Sequence, residues 1–189
     1  MSSKRARKRA GNPYKRADSH TQAARASGFV ARSVFKLEEI DRRVRLLKQG
    51  QRVLDLGAAP GSWSQYVCQR IGSPGRLVAI DLKPIPPLLP AHIALVLEGS
   101  VFDLEPQLAE HAPYDVVLSD MAPNTTGDTG TDKIRSAELF RMAARVAAQH
   151  LRVGGNFVGK LFMGGELQAI KDELRADFEQ VRIMRPKAV

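Results

Sequence analysis

Hydrophobic and polar positions along the chain follow two rhythms in turn. Val34, Leu37, Ile40 and Val44 recur at helical spacing behind Ser33, a residue suited to capping, so the pattern predicts a helix from Ser33 to Leu47 laid on the body. Lys36 is two positions from Val34 and need not share the apolar face; it suits the rim of a cleft. A short apolar run, Arg52 to Leu56, then breaks into a Gly/Pro turn, and a new amphipathic pattern starts near Ser64, giving strand, tight loop and helix. Three more strands are expected: Leu77–Ile80 ending in Asp81, Ile93–Leu97, and Asp115–Leu118 ending in Ser119-Asp120. A long helix from about Lys133 to Leu151 follows, with Gly154-Gly155 as its stop. The pattern closes with a strand from Asn156 to Phe162, a helix from about Gly165 to Asp177 and a last strand from Phe178 to Met184. Such a series predicts an α/β fold with a doubly wound, mostly parallel sheet, whose ligands bind at the carboxyl ends of the strands.

Residues 1–27 carry no such rhythm. They are polar and rich in Arg and Lys, and are predicted to be a flexible basic tail before a single domain spanning 28–189. Charge sharpens that division. Through Arg52 there are 15 basic residues against 4 acidic, a balance of +11, while the rest of the chain carries −2 of the total +9. A near-neutral body with a basic front end suits a polyanion partner, since phosphate contacts supply most nucleic-acid affinity. Cys68 alone excludes an intrachain disulfide framework, and a reducing cytoplasmic setting is expected. Neither a secretion signal nor a run of membrane-spanning length is evident.

The candidate chemistry gathers at strand ends. In Asp55-Leu56-Gly57-Ala58-Ala59-Pro60-Gly61-Ser62-Trp63 the glycines let a ligand approach backbone, and the amides of the following helix start favour polar or anionic groups. A phosphate loop would need lysine after its second glycine, where Ser62 stands, and a dinucleotide fingerprint needs different glycine spacing. Asp55, Asp81 and Asp120 all fall at or near strand carboxyl ends and are expected on one sheet edge. Asp81 stands where nucleoside binders keep a carboxylate for ribose hydroxyls. Lys160 interrupts an apolar strand, a position that demands a partner or a purpose. His20, His92, His111 and His150 lack ligand spacing, so no metal site is expected.

Four segments together resemble the FtsJ/RrmJ family of S-adenosylmethionine-dependent ribosomal RNA 2′-O-methyltransferases. They are Asp55 to Trp63, Arg32-Ser33-Val34-Phe35-Lys36-Leu37, Ser119 to Asn124, and Gly159-Lys160-Leu161-Phe162, and the resemblance runs from about Ser27 to Pro186. It implies a Rossmann-like methyltransferase sheet, S-adenosylmethionine as cofactor, and a uridine of 23S ribosomal RNA in the large subunit as substrate. Asp55, Gly57, Ala58, Pro60, Gly61, Ser62, Trp63, Asp81 and Asp120 would then line the cofactor site. Lys36, Asp120 and Lys160 would match three members of the family's Lys-Asp-Lys-Glu catalytic set. A lysine is a weak base at its ordinary pKa of about 10.4, but burial and a second ammonium depress it. The expected roles are therefore Lys160 as acceptor of the hydroxyl proton, Lys36 as its neighbour and substrate grip, and Asp120 as the group orienting Lys160. Arg25, Arg32, Arg42 and Arg43, with Lys36, are expected to contact RNA phosphates.

Two departures from the family pattern are evident. Ser100 occupies the place of the usual aspartate beside the adenine, so Ser100, backbone or Asp103 would take that contact. The family continues past Arg185-Pro186-Lys187 into a segment that supplies the catalytic glutamate and a final antiparallel strand, whereas this chain stops at Val189. A shortened chain is therefore expected, with unpaired backbone beside Phe178–Met184. Other readings stay open on sequence alone: a non-catalytic RNA-binding or ribosome-assembly factor on this scaffold, a transfer-RNA or RNA-cap 2′-O-methyltransferase, and a nucleotide-dependent oxidoreductase. The protein is expected to act as a monomer.

Overall fold

Alternation along the strands divides the core between two faces of one sheet. In the computed structural model, which describes residues 19–187, the strands are β1 (Arg52–Leu56), β2 (Arg76–Asp81), β3 (Ala94–Glu98), β4 (Tyr114–Ser119) and β5 (Leu151–Gly159). All pair in parallel, in the order β3-β2-β1-β4-β5. Val53, Leu77, Ala79, Val116 and Leu118 enter one cluster, packed under α2 (Val34–Val44) and α3 (Ser62–Ile71). Leu54, Leu56, Val78, Ile80 and Val117 enter the other, under α5 (Thr129–His150). Burial of the central strand on both faces explains why β1 reads as almost continuously apolar. The strand order reverses between β1 and β4, where ligands of doubly wound sheets bind.

Most predicted elements form within a few residues of their expected bounds, and four differences are informative. Ser19–Ala26 is a helix, α1, inside the span expected to be structureless, and it is docked through fully buried Ala24; residues 1–18 of the expected tail lie outside the described residues. A short helix, α4 (Glu105–Glu110), has no counterpart in the predicted pattern. Gly154-Gly155 does not stop α5, which ends at His150. The pair sits inside β5, where the register with β4 slips between Tyr114↔Leu151 and Val116↔Asn156. A Cβ on Gly155 would stand 2.9 Å from the Arg152 carbonyl oxygen and 3.1 Å from that of Asp115 on β4, so a side chain here would force the backbone to shift. Lys160 consequently lies just past the end of β5, not within it.

The expected last strand is absent. Phe178–Met184, which follows α6 (Leu167–Leu174), makes no strand ladder among the described residues, and the outer edge of β5 carries no paired strand. Side chains hold the segment instead. Phe178 stacks on Phe157 of β5 with ring centroids 5.9 Å apart, Met184 packs against the core under α2, and the Lys187 amide donates to Glu39 at 2.7 Å. No described helix is long and apolar enough to cross a membrane.

Candidate active site

The carboxyl edge of the sheet collects the polar residues that periodicity had placed at strand ends. β1 runs into Gly57 (φ +74°), and the chain then turns through a cis Ala59-Pro60 bond to Gly61 (φ +105°), the residue just before α3. The Gly57 and Ala58 amides donate to the Ile80 carbonyl at 2.9 and 3.1 Å, and the Gly61 amide donates to the Ala58 carbonyl at 2.6 Å. Asp81 braces the loop from β2, accepting the Ala59 amide on one carboxylate oxygen (2.9 Å) and the Lys83 amide on the other (2.8 Å). A Cβ on Gly57 would stand 2.5 Å from Met121 Cγ, so glycine is needed there for space as well as for its backbone angle.

Asp55 is the buried carboxylate of this edge. Ser64, in the first turn of α3, donates to its Oδ2 at 2.6 Å, while Oδ1 is buried with no partner. Burial pushes its pKa up to about 7, the Ser64 bond opposes the rise, and the negative charges of Asp120 and Asp81 add to it. The Asp120 carboxyl is also pushed up by burial, against the pull of the Lys160 and Lys36 ammonium groups. Lys160 Nζ stands 3.2 Å from Asp120 Oδ1 and 5.8 Å from the centre of the Phe162 ring. Asp55, Asp81 and Asp120 thus lie close enough to feel one another's charge, with Asp55 Oδ1 buried and unpartnered, an arrangement that a cationic ligand would complement.

Lys36 from α2, Asp120 after β4 and Lys160 after β5, the three side chains singled out in the sequence, come near one another at this edge, with both lysines acting on Asp120. Asp55, Gly57, Ala58, Pro60, Gly61 and Asp81 form or brace the loop. Ser62 and Trp63 do so differently from expectation. Their side chains are buried against α2: Ser62 Oγ lies 2.8 Å from Ser33 Oγ, and the Trp63 indole donates to the Ser33 carbonyl at 2.9 Å. Any ligand contact they make falls to their backbone amides. Ser33 stands at the start of α2 as expected, but its hydroxyl bonds Ser62 and caps nothing.

Ser100 also has a local duty. Its hydroxyl accepts the Phe102 amide at 3.2 Å and its carbonyl accepts those of Asp103 and Leu104, making a tight turn after β3. Asp103 is exposed. Sequence reasoning missed Leu82 and Phe102, which follow the ends of β2 and β3 and are 74% and 67% exposed, an uncommon display of large apolar groups beside a polar edge. The signal available was a bulky apolar residue directly after Asp81, outside any amphipathic pattern.

Of the basic residues, Arg25 closes α1 and is exposed, and Arg32 is exposed just before α2. Arg42 and Arg43 pair with Glu38 and Glu39 one turn back on α2. Such exposed pairs are weak and screened by salt, so both guanidinium groups remain exchangeable for phosphate. Among the described residues no group of three or more His, Cys, Asp or Glu side chains is arranged to hold a metal ion.

Comparison with known proteins is consistent with this geometry. Residues 29–189 match the profile of the FtsJ-like methyltransferases. The chain is 57% identical to a Sorangium cellulosum protein named ribosomal RNA large subunit methyltransferase E, over 93% of this chain and 83% of that one. A protein of the same name from Syntrophobacter fumaroxidans is 46% identical, over 90% and 88% of the two chains. A crystal structure described as a ribosomal RNA methyltransferase from Plasmodium falciparum superposes with a TM-score of 0.72 at 25% identity, covering 84% of this chain and 92% of that one.

Proposed function

The chain belongs to the FtsJ-like methyltransferase family, and from that premise we propose that it methylates a ribose 2′-hydroxyl of large-subunit ribosomal RNA, most specifically a uridine of the 23S molecule, with S-adenosylmethionine as donor. The observation that carries this reading is the pairing of Lys160 with Asp120 at 3.2 Å on the edge where the glycine loop, Asp55 and Asp81 also converge. The names of the relatives supply the substrate class.

S-adenosylmethionine fits the edge by its donor set and supplies, when bound, an electrophilic methyl group on a positively charged sulfur. The residues of the chain divide the remaining work. The first amides of α3, presented by the Gly57–Gly61 turn, would hold the amino-acid end, Asp81 would take ribose hydroxyls, and Asp55 and Asp120 would offset the positive charge. Leu82, Phe102 and the Ser100 turn flank the heterocycle. Lys36 grips the acceptor nucleotide so that its oxygen lies in line with the methyl group, which is where most of the rate is won. Lys160 Nζ, oriented by Asp120, receives the proton of the 2′-hydroxyl as the neutral amine, after giving up its own proton to solvent. Phosphates of the RNA lie along Arg25, Arg32, Arg42 and Arg43. The reaction takes place in the cytoplasm on a monomeric enzyme.

The test is transfer of labelled methyl from S-adenosylmethionine to large ribosomal subunits lacking 2′-O-methylation, with the Lys160→Ala variant alongside. The parent chain should label the RNA, and the variant should lose about 100-fold or more in rate while binding the cofactor as before. Equal rates in the two would remove Lys160 from its role. Absence of label with the parent despite cofactor binding would favour a non-catalytic RNA-binding scaffold.

A further inference from the structure

The start of the helix that follows the cofactor loop and the start of the helix that carries Lys36 share the Ser33 carbonyl oxygen. Ser33 O accepts the backbone amide of Lys36 at 3.1 Å and, from the other side, the indole N–H of Trp63 at 2.9 Å. The neighbouring hydroxyls of Ser33 and Ser62 close a second bond at 2.8 Å. Trp63 is buried in the core under α2, and Ser62 and Trp63 are the first two residues of α3, directly after Gly61. Farther along α3, Gln65 holds the approach to α2 by accepting the Val30 amide and donating to the Gly28 carbonyl. The far end of α2 is fixed separately, through Asp41 to Tyr66 and Arg70.

We propose that Trp63 and Ser62 are positioning residues for Lys36: through Ser33 they set where the first turn of α2 stands relative to the cofactor loop, and so where the Lys36 ammonium stands relative to Asp120. This rests on the reading of Lys36 given above as the substrate-gripping lysine. The physical case is one of connectivity and burial. Trp63 and Ser62 are buried, so losing either bond would leave a polar group with few other partners, and the bonds hold a defined distance. The linkage from Gly61 to Lys36 passes through side chains that bond one another across the two helix starts. A ligand held by the first amides of α3 thereby also orders the turn that presents Lys36. Reacting groups a single ångström out of place can cost about 100-fold in rate, so a short latch of this kind is worth a large factor without touching substrate.

Trp63→Phe keeps the buried ring and deletes only the donor. It should lower kcat about tenfold while the KM for S-adenosylmethionine changes less than about twofold, and Ser62→Ala should act in the same direction more weakly. In a Lys36→Ala background the Trp63→Phe effect should vanish, because the latch then has nothing to place. A second readout needs no turnover: acylation of lysine amines followed by mass spectrometry should show the Lys36 rate changed severalfold in Trp63→Phe, with that of Lys48 unchanged. A full Trp63→Phe penalty in the Lys36→Ala background, or an unaltered Lys36 labelling rate, would overturn the proposal. A parent chain that transfers no methyl group would instead sink the proposed function, and the labelling ratio would still decide the latch.

Discussion

Asp55 has one oxygen held by Ser64 and one left without a partner, and its pKa of about 7 places its proton in the working range. A positive charge bound beside it favours the ionised form. Binding S-adenosylmethionine should therefore release a fraction of a proton near neutrality, and its affinity should rise with pH up to about 7 and level off above it. The demethylated product, whose sulfur is neutral, should show a much weaker trend. Calorimetry slightly below neutral pH, in buffers of different ionisation enthalpy, measures the release directly, and identical heats in all buffers would contradict the assignment. Gly57 gives a steric test at the same edge. A methyl group there meets Met121 at 2.5 Å and holds the backbone in a left-handed conformation, a cost of about 1–3 kcal/mol for the conformation alone. Gly57→Ala should lower the unfolding midpoint and abolish cofactor binding measured by the same calorimetry.

Helices α2 and α3 are joined by more than apolar contact. Asp41, 2% exposed, accepts the Leu47 amide at 2.8 Å, the Tyr66 hydroxyl at 2.8 Å and Arg70 Nε at 3.0 Å. Asp41→Ala strands two buried donors, so it should cost about 3 kcal/mol and lower the melting temperature by roughly 6–12 °C in a thermal unfolding scan. None of this junction was legible in the sequence, where Asp41, Ser33 and Tyr66 look like ordinary polar or amphipathic positions; their duties depend on what the other helix brings. Elements whose evidence is local were legible. Val34, Leu37 and Ile40 announce α2, the apolar runs announce β1, β2 and β4, and carboxylates at strand ends announce the edge. Elements defined by a neighbour were not. Gly154-Gly155 has the local chemistry of a helix stop and becomes a strand irregularity only because β4 lies alongside, and Phe178–Met184 has strand-forming residues but is held by side-chain contacts rather than a ladder. The Asp120–Lys160 pair was legible in part: the strand ends were visible, the distance between them was not.

At the scale of the whole chain, charge separates the two tasks. The stretch ending at Arg52 carries +11, while the remainder, which holds most of the cofactor edge, is close to neutral. Binding to RNA should accordingly weaken steeply with salt. Alanine at both Arg25 and Arg42 should flatten the slope of log K against log salt by about one unit for each phosphate interaction removed, without altering cofactor affinity; an unchanged slope in filter-binding titrations would place the RNA elsewhere. The order of the strands has a consequence in time as well. β1 meets β2 through a single helix, but it meets β4 only across 63 positions, as the bond from the Arg52 amide to Asp115 shows, and β5 can dock only after β4. Closing so long a span consumes chain entropy before any pairing repays it. Refolding followed by pulsed hydrogen exchange should therefore protect β1, α3 and β2 first and β5 last, so that the cradle for the cofactor exists before Lys160 is brought to Asp120.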